Sequence, residues 1–182
     1  MLLNNKYIDE LLLSVKSKNQ NAFSELYKLT SPAVYAYAMS FLKNTYDAED
    51  VMHDCYVNIF TSADKYVSRG KPMAWILKIV KNLSLQKLNN AVKANDLSVA
   101  EKQLISPDSN LDTESRMLIS MCFNVLNSID QRIVILYAVA GFKHREISYA
   151  LNIPLNSELS RYSRALKKLK SEYEGIFSKE DQ

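Results

Sequence analysis

The side chains that commonly perform catalysis or bind metals are scarce in this chain of 182 residues. It contains two histidines, His53 and His144, and two cysteines, Cys55 and Cys122. His53 and Cys55 lie two positions apart on a predicted helix, so their side chains diverge instead of converging on one metal ion. The sequence also lacks a glycine-rich phosphate loop and a nucleophile elbow. We therefore predict that the protein is not an enzyme and that it needs no metal or other cofactor.

The chemistry that the sequence does favour is the binding of polyanions by basic side chains. Residues 67–95 carry six basic and no acidic side chains, and residues 133–182 carry eight basic and six acidic ones. The segments before and between them, residues 1–66 and 96–132, are net acidic. Two basic zones separated by acidic ones indicate two places where nucleic acid could bind. These counts alone leave open the alternative of a solvated, lysine-rich face.

The more specific of the two basic zones lies near the C-terminus. A short predicted helix over residues 142–151 ends at Asn152, which tolerates the left-handed backbone of a sharp turn. We expect Asn156 or Ser157 to cap the next helix. The apolar side of that helix is predicted to consist of Leu159, Tyr162, Leu166, Leu169 and Tyr173. Five basic residues and no acidic one lie between residues 159 and 171, which predicts a helix-turn-helix whose second helix enters the DNA major groove. A terminal helix that only packs by its apolar side is the alternative.

The rest of the chain is also predicted to be helical, so the fold class is all-α. Only three glycines and four prolines occur, which favours long helices. Helical spacing of apolar residues predicts a helix over residues 21–43, with Pro32 at a helix start or a kink. We expect Asp47 to cap the following helix and a further helix to run over residues 72–90. The apolar run at residues 134–137 fits a strand by periodicity, but a helix is preferred in a chain without other strand signals.

Three segments resemble the sigma-70 family of bacterial RNA polymerase sigma factors, and in particular its extracytoplasmic-function group. Residues 47–60 (DAEDVMHDCYVNIF) resemble a helix of sigma region 2. Residues 73–82 (MAWILKIVKN) resemble the next helix of that region, whose typical form is RAWLxxIARN. Residues 153–165 (IPLNSELSRYSRA) resemble region 4, whose typical form is IPxGTVKSRLxRA. The three segments occur in family order and with family spacing.

The resemblance implies two small helical domains joined by a linker. Residues 1–92 would form a region 2 helical bundle that binds core RNA polymerase and the promoter −10 element. Residues 93–113 would form the linker, and residues 114–182 a region 4 helix-turn-helix that binds the −35 element. The implied function is that of a transcription initiation factor, which directs polymerase to specific promoters and assists DNA melting. Melting of this kind needs no catalytic residue, because capturing unstacked bases shifts the duplex equilibrium.

The resemblance also implies roles for individual residues. An acidic helix would bind the clamp helices of polymerase through Asp47, Glu49, Asp50, His53 and Asp54. The −10 element would be contacted by the loop before the next helix and by Trp75, Lys78, Lys81 and Asn82. For Trp75 a core position is the preferred interpretation, and a platform for base stacking is the alternative. The −35 element would be contacted by Lys143, Arg145, Ser157, Ser160, Arg161, Arg164, Lys167 and Lys168.

The implied partners are core RNA polymerase and promoter DNA. An anti-sigma protein is a further candidate partner, because family members are often held inactive by one. No run of 18 apolar residues predicts a membrane span, and the N-terminus lacks the pattern of a signal peptide. Two cysteines cannot form a disulfide framework. We therefore expect a cytoplasmic protein without direct membrane insertion.

Two other classes of protein remain open at this point. The main alternative is a helix-turn-helix regulator of transcription that does not act as a sigma subunit, but such a regulator would not need the acidic helix. The second alternative is a helical adaptor that binds only proteins, but it would leave the acid-free residues 67–95 unexplained.

Overall fold

The structure, a computed structural model, describes residues 4–93 and 124–177. Contacts divide the chain into two compact units, Met1–Asn110 and Leu111–Gln182. No strand occurs in either described range, so the all-α prediction is confirmed, including a helical state for residues 134–137. The segment expected to form the linker lies outside the described residues, except for Lys93 at the end of a helix.

The described part of the first unit is a bundle of four helices. They are α1 (Asn5–Lys16), α2 (Gln20–Leu42), α3 (Thr45–Ser62) and α4 (Pro72–Lys93), with a 3₁₀ turn (Ala63–Lys65) after α3. Helices α2 and α4 each pack against the other three helices of the bundle. The core contains fully buried apolar side chains from all four helices, among them Leu12, Leu26, Val34, Ile59 and Ile76. Burying such side chains stabilises a fold by about 1.5–3 kcal/mol each.

Asparagine side chains start the first three helices of the bundle. Asn4, Asn19 and Asn44 each accept hydrogen bonds from backbone N–H groups in the first turn of the helix that follows. Helix α3 therefore begins at Thr45, and the prediction that Asp47 is its cap is wrong. Asp47 lies inside the first turn, where its charge interacts favourably with the helix dipole.

Pro32 lies inside α2 and not at a helix start. A proline within a helix removes one backbone hydrogen bond and costs about 3 kcal/mol. The residues that follow it, Ala33, Val34 and Ala36, are buried. Packing of this stretch of α2 against its neighbours therefore outweighs the cost of the proline.

The described part of the second unit contains helical residues at 124–125, three further α-helices and one π-helical turn. They are α5 (Ser128–Val134), the π-helical turn (Ile135–Val139), α6 (His144–Leu151) and α7 (Leu155–Phe177). Gly141, with a φ of +71°, lies between the π-helical turn and α6 and turns the chain without strain. Helix α7 packs against both α5 and α6, and the buried residues of the unit include Ile133, Leu136, Ile147 and Ala165.

Helices α6 and α7 form the predicted helix-turn-helix. Asn152 adopts the expected left-handed backbone, with φ 53° and ψ 48°, and the Ser148 hydroxyl donates a hydrogen bond to the Ile153 carbonyl at 2.7 Å. Helix α7 begins at Leu155. Asn156 and Ser157 therefore lie in its first turn, and the prediction that one of them caps the helix is wrong.

The buried side of α7 differs from the predicted one. Leu159 and Leu166 are 41% and 42% exposed, and Tyr173 is half exposed. The residues that face the unit are Glu158, Tyr162, Ala165 and Leu169. The prediction did not include Glu158, whose side chain is fully buried although it is charged.

Candidate polymerase- and promoter-binding surfaces

The five residues expected to bind polymerase all lie on α3, but on two sides of it. The steps of an α-helix place Asp47, Asp50 and Asp54 on one side. Glu49 and His53 lie on a neighbouring side. Asp50, His53 and Asp54 are exposed, and the other two are partly buried.

Lys87 of α4 pairs with two of the three aspartates, Asp47 and Asp50. Its Nζ atom is 2.9 Å from Asp47 Oδ1 and 2.7 Å from Asp50 Oδ2. Burial lowers the pKa of Lys87, but the hydrogen bonds to Asp50 and Asp47 outweigh burial and leave that pKa raised. Within residues 4–93, Asp54 is the one aspartate of the three that forms no ion pair. Sequence reasoning missed Lys87 because a lysine 37 residues after Asp50 gives no local signal.

An apolar groove between α2 and α3 adjoins His53. It has a volume of about 570 Å³ and is lined mainly by aromatic and aliphatic side chains, Phe23, Tyr27, Tyr56, Val57 and Phe60. The rings of Phe23 and Phe60 meet edge to face, with centroids 5.3 Å apart. Val57 is exposed at the groove although it is apolar. The sequence analysis did not predict this groove. The feature of the sequence that could have indicated it is the presence of apolar residues on more than one side of α3.

The residues expected to contact the −10 element share one side of α4. Lys78, Lys81 and Asn82 are exposed and lie within about one third of the helix circumference. Trp75 borders this side and is partly buried, because its ring packs edge-on against Tyr66 with centroids 5.0 Å apart. The structure thus brings the four residues together, with Trp75 contributing to packing as well.

The residues of α7 expected to contact the −35 element also lie on one side. Helical geometry places all six within about 120°, namely Ser157, Ser160, Arg161, Arg164, Lys167 and Lys168. Five of them are exposed, Arg161 being the exception. Lys143 precedes α6 and Arg145 lies in its first turn, and both are exposed.

Arg161 is held inside the second unit. Its Nη1 atom lies 2.9 Å from Oδ1 of Asp130, a buried carboxylate in the first turn of α5. The other oxygen of Asp130 accepts a hydrogen bond from the Asn127 side chain at 2.7 Å. The ion pair therefore joins α7 to α5. Arg164 differs from Arg161, because among the described residues its guanidinium donates a hydrogen bond only to the Ser160 carbonyl of its own helix.

A second polar pair joins the two helices of the helix-turn-helix. Glu158 of α7 is fully buried, and its Oε1 atom lies 3.0 Å from Nδ1 of His144 in α6. The imidazole stacks on Tyr137, with centroids 4.4 Å apart, and meets the ring of Tyr162 edge-on. Burial raises the pKa of Tyr162, and the neighbouring Tyr137 and Glu158 raise it further. Glu158 Oε2 has no hydrogen-bond partner among the described residues, so His144 is the partner that compensates the burial of this carboxylate.

Sequence reasoning considered His144 only as a candidate catalytic residue and missed this pair. The available signal was the region 4 pattern itself, because Glu158 stands where that pattern has valine. A charged residue at a buried position needs a partner.

We expect His144→Ala to lower the free energy of unfolding of the second unit by about 3 kcal/mol, because it leaves Glu158 buried without its partner. The double variant His144→Phe with Glu158→Val should be far closer to the wild type, because it removes both polar groups. Backbone hydrogen exchange of residues 144–165, followed by mass spectrometry, measures both effects. His53→Ala, which changes an exposed histidine of the first unit, is the control. Unchanged exchange in His144→Ala would contradict the structural role of the pair.

Comparison with known protein families assigns both units. The family models for sigma-70 region 2 and sigma-70 region 4 match residues 26–93 and 116–169. The chain therefore belongs to the sigma-70 family of RNA polymerase sigma factors, and its region 4 is of the extracytoplasmic-function type.

Curated relatives and solved structures agree with this family. The extracytoplasmic-function sigma factors SigK of Mycobacterium bovis and Mycobacterium tuberculosis are 23% identical over 172 residues, covering 90% of this chain and 92% of theirs. Among solved structures, CnrH in complex with the cytosolic domain of CnrY is 20% identical with a TM-score of 0.57, covering 93% of this chain and 98% of CnrH. The sigma factor RpoE of Bartonella quintana, in complex with the anti-sigma factor NepR, is 21% identical with a TM-score of 0.60, covering 82% of this chain and 94% of RpoE. At these identities the solved structures show a shared fold.

No helix within residues 4–93 or 124–177 combines the length and the apolar character that crossing a membrane would require.

Proposed function

We propose that this protein is a promoter-recognition subunit of bacterial RNA polymerase, with core polymerase and the −10 element bound by the first unit and the −35 element by the second. The observation that carries the proposal is the order of surfaces along a chain of this family: an acidic side of α3, a basic side of α4 and a helix-turn-helix with a basic outer side. The protein then contributes binding, and the chemistry of RNA synthesis belongs to the polymerase.

Core polymerase would contact α3 through its acidic side and the adjoining groove. Complementary charges orient two proteins and speed their association more than they add affinity. The groove beside His53 adds apolar surface that a complex could bury, which the charged side chains do not provide. Because Asp47 and Asp50 are already paired with Lys87, Asp54 is the carboxylate best placed to meet a basic residue of the clamp helices.

The −10 element would lie along the basic side of α4. Lys78 and Lys81 can neutralise phosphates there, and Asn82 can hydrogen-bond a sugar or base. Trp75 is anchored on Tyr66 and offers the rest of its ring to an unstacked base. Each captured base offsets part of the roughly 1.4 kcal/mol of stacking that is lost per base-pair step.

The −35 element would be bound by α7 in the major groove. Residues near the N-terminal end of a recognition helix reach base edges, which assigns base contacts to Ser157, Ser160 and Arg164. Lys167 and Lys168, further along, would contact phosphates, as would Lys143 and Arg145. Arg161 would act mainly by holding α7 on α5 through Asp130.

The proposal extends to partners and location. Two surfaces that each bind DNA weakly give strong binding together only when the two units are correctly spaced, and polymerase would supply that spacing. An anti-sigma protein is a further proposed partner, because one of the solved structures with this fold contains one. We propose a cytoplasmic location, which is where a polymerase subunit acts.

Run-off transcription with core polymerase and DNA from upstream of the protein's own gene tests the proposal directly. We expect a discrete transcript that depends on the protein, and we expect the protein alone to bind the same DNA weakly. Tight, sequence-specific binding of DNA by the free protein without any transcript would instead indicate the helix-turn-helix regulator.

We expect Arg164→Ala to weaken −35-dependent promoter binding by the holoenzyme about tenfold, because one base contact carries roughly 1–3 kcal/mol. Affinity for core polymerase should not change. Lys170→Ala is the matched control, since Lys170 is an exposed basic residue on another side of α7, paired with Glu174. Filter binding of promoter fragments with and without the −35 element measures the effect. An equal loss in both variants would argue against recognition by this side of the helix.

For polymerase binding, we expect Asp54→Asn to slow association with core polymerase several-fold at low salt, because rim charges act mainly on association rates. Asp50→Asn should have a smaller effect, because Lys87 already offsets that carboxylate. Asp64→Asn, an exposed carboxylate on the 3₁₀ turn, serves as the control. Stopped-flow association at two salt concentrations measures all three. If Asp54→Asn behaves like the control, polymerase does not contact this side of α3.

A further inference from the structure

The loop between the 3₁₀ turn and α4, residues 66–71, is fixed by a carboxylate of α1. Asp9 accepts hydrogen bonds from the hydroxyl groups of Tyr66 and Ser68, so one side chain holds two positions of the loop. Burial raises the pKa of Tyr66, and the hydrogen bond to Asp9 raises it further, so this hydroxyl stays protonated and donates. Tyr66 is itself buried and packs against Trp75.

The loop side chains that Asp9 does not hold are exposed. Residues 66–69 belong to no helix, and the backbone of Tyr66 is extended, a conformation in which successive side chains point in opposite directions. Val67 is 63% exposed, and Arg69 is also exposed. Gly70 then turns the chain towards α4 with a φ of +70°, which glycine adopts without strain.

These exposed groups have the chemistry of a site for single-stranded DNA. An apolar side chain such as Val67 can contact the face or methyl group of a base, and a guanidinium such as that of Arg69 can pair with a phosphate. No acidic residue occurs from residue 67 to residue 95, so nothing in this stretch repels a strand. Both carboxylate oxygens of Asp9 accept hydrogen bonds from hydroxyl groups of the loop, so the negative charge of Asp9 is stabilised by donors of the protein itself.

We propose that Asp9 is a positioning residue for −10 recognition, which fixes the loop at residues 66–71 so that Val67 and Arg69 meet one unstacked base and its phosphate. The inference rests on the proposed function and extends it to α1, which precedes the matched region 2 segment at residues 26–93. The physical reason is preorganisation. A loop held by Asp9 has already lost the conformational freedom that binding would otherwise remove.

A randomised promoter library tests the role of Asp9. Core polymerase loaded with the full chain transcribes templates with every base at each −10 position, and sequencing of the transcripts gives the base preferences. We expect Asp9→Ala to reduce the preference at one −10 position about tenfold, the scale of one base contact, with preferences at the −35 element unchanged. Glu10→Ala, which removes the exposed neighbouring carboxylate on α1, should leave all preferences unchanged.

Variants of the two hydroxyl donors separate positioning from folding. Tyr66→Phe and Ser68→Ala each remove one hydrogen bond to Asp9, and each should weaken the preference at the same −10 position by less than Asp9→Ala does. If Asp9→Ala also loses its affinity for core polymerase, these two variants decide the outcome. Unchanged −10 preferences in both of them, or a uniform loss across all promoter positions, would overturn the proposal. If the wild type itself selects no −10 sequence, the proposed function fails first, and the role of Asp9 fails with it.

Discussion

Ion pairs inside each unit decide which charged side chains remain available to a partner. A charge that is paired within the protein must exchange that pair for a new one before it binds anything else, and the gain is then small. Asp130 holds Arg161, and Lys87 holds Asp47 and Asp50. The charged side chains that these pairs leave exposed to a partner form a smaller and better defined set than the sequence suggests.

The same pairs connect the functional surfaces to the rest of the fold. Lys87 joins α3, which carries the proposed polymerase surface, to α4, which carries the proposed −10 surface. A displacement of one helix is therefore resisted by the other. In the second unit, Asp130 and His144 hold α7 from two neighbouring elements, so the recognition helix is fixed on its inner side while its basic side stays exposed.

Much of the fold could be predicted from the sequence, because helical periodicity and a scarcity of glycine and proline act locally. The helices over residues 21–43 and 72–90 were placed within a few residues of their observed ends, and the left-handed turn at Asn152 was predicted from its residue type. The cap of α3 was misplaced because Asn44 and Asp47 are both suitable caps, and only the path of the chain selects between them. The grouping of basic residues on α4 and α7 followed from helical geometry alone.

The errors in the candidate sites come from contacts between residues that are distant in sequence. Only the valine at this position of the region 4 pattern indicates that Glu158 is buried, and its partner His144 lies 14 residues earlier, so Leu159 and Leu166 were wrongly predicted to face the unit. The engagement of Arg161 in an ion pair depends likewise on Asp130, which lies 31 residues earlier. The loop anchored by Asp9 is held across 57 residues, which no local pattern reveals.

The pairing of His144 with Glu158 also sets the boundaries at which this protein can be recombined with its relatives. A chimera that exchanged α7 alone, in order to transplant promoter specificity, would separate the imidazole from the carboxylate and place one of them against an unsuitable neighbour. The smallest transferable module therefore begins before His144 and carries both helices. The proposed recognition helix and the helix that supports it therefore have to be exchanged together.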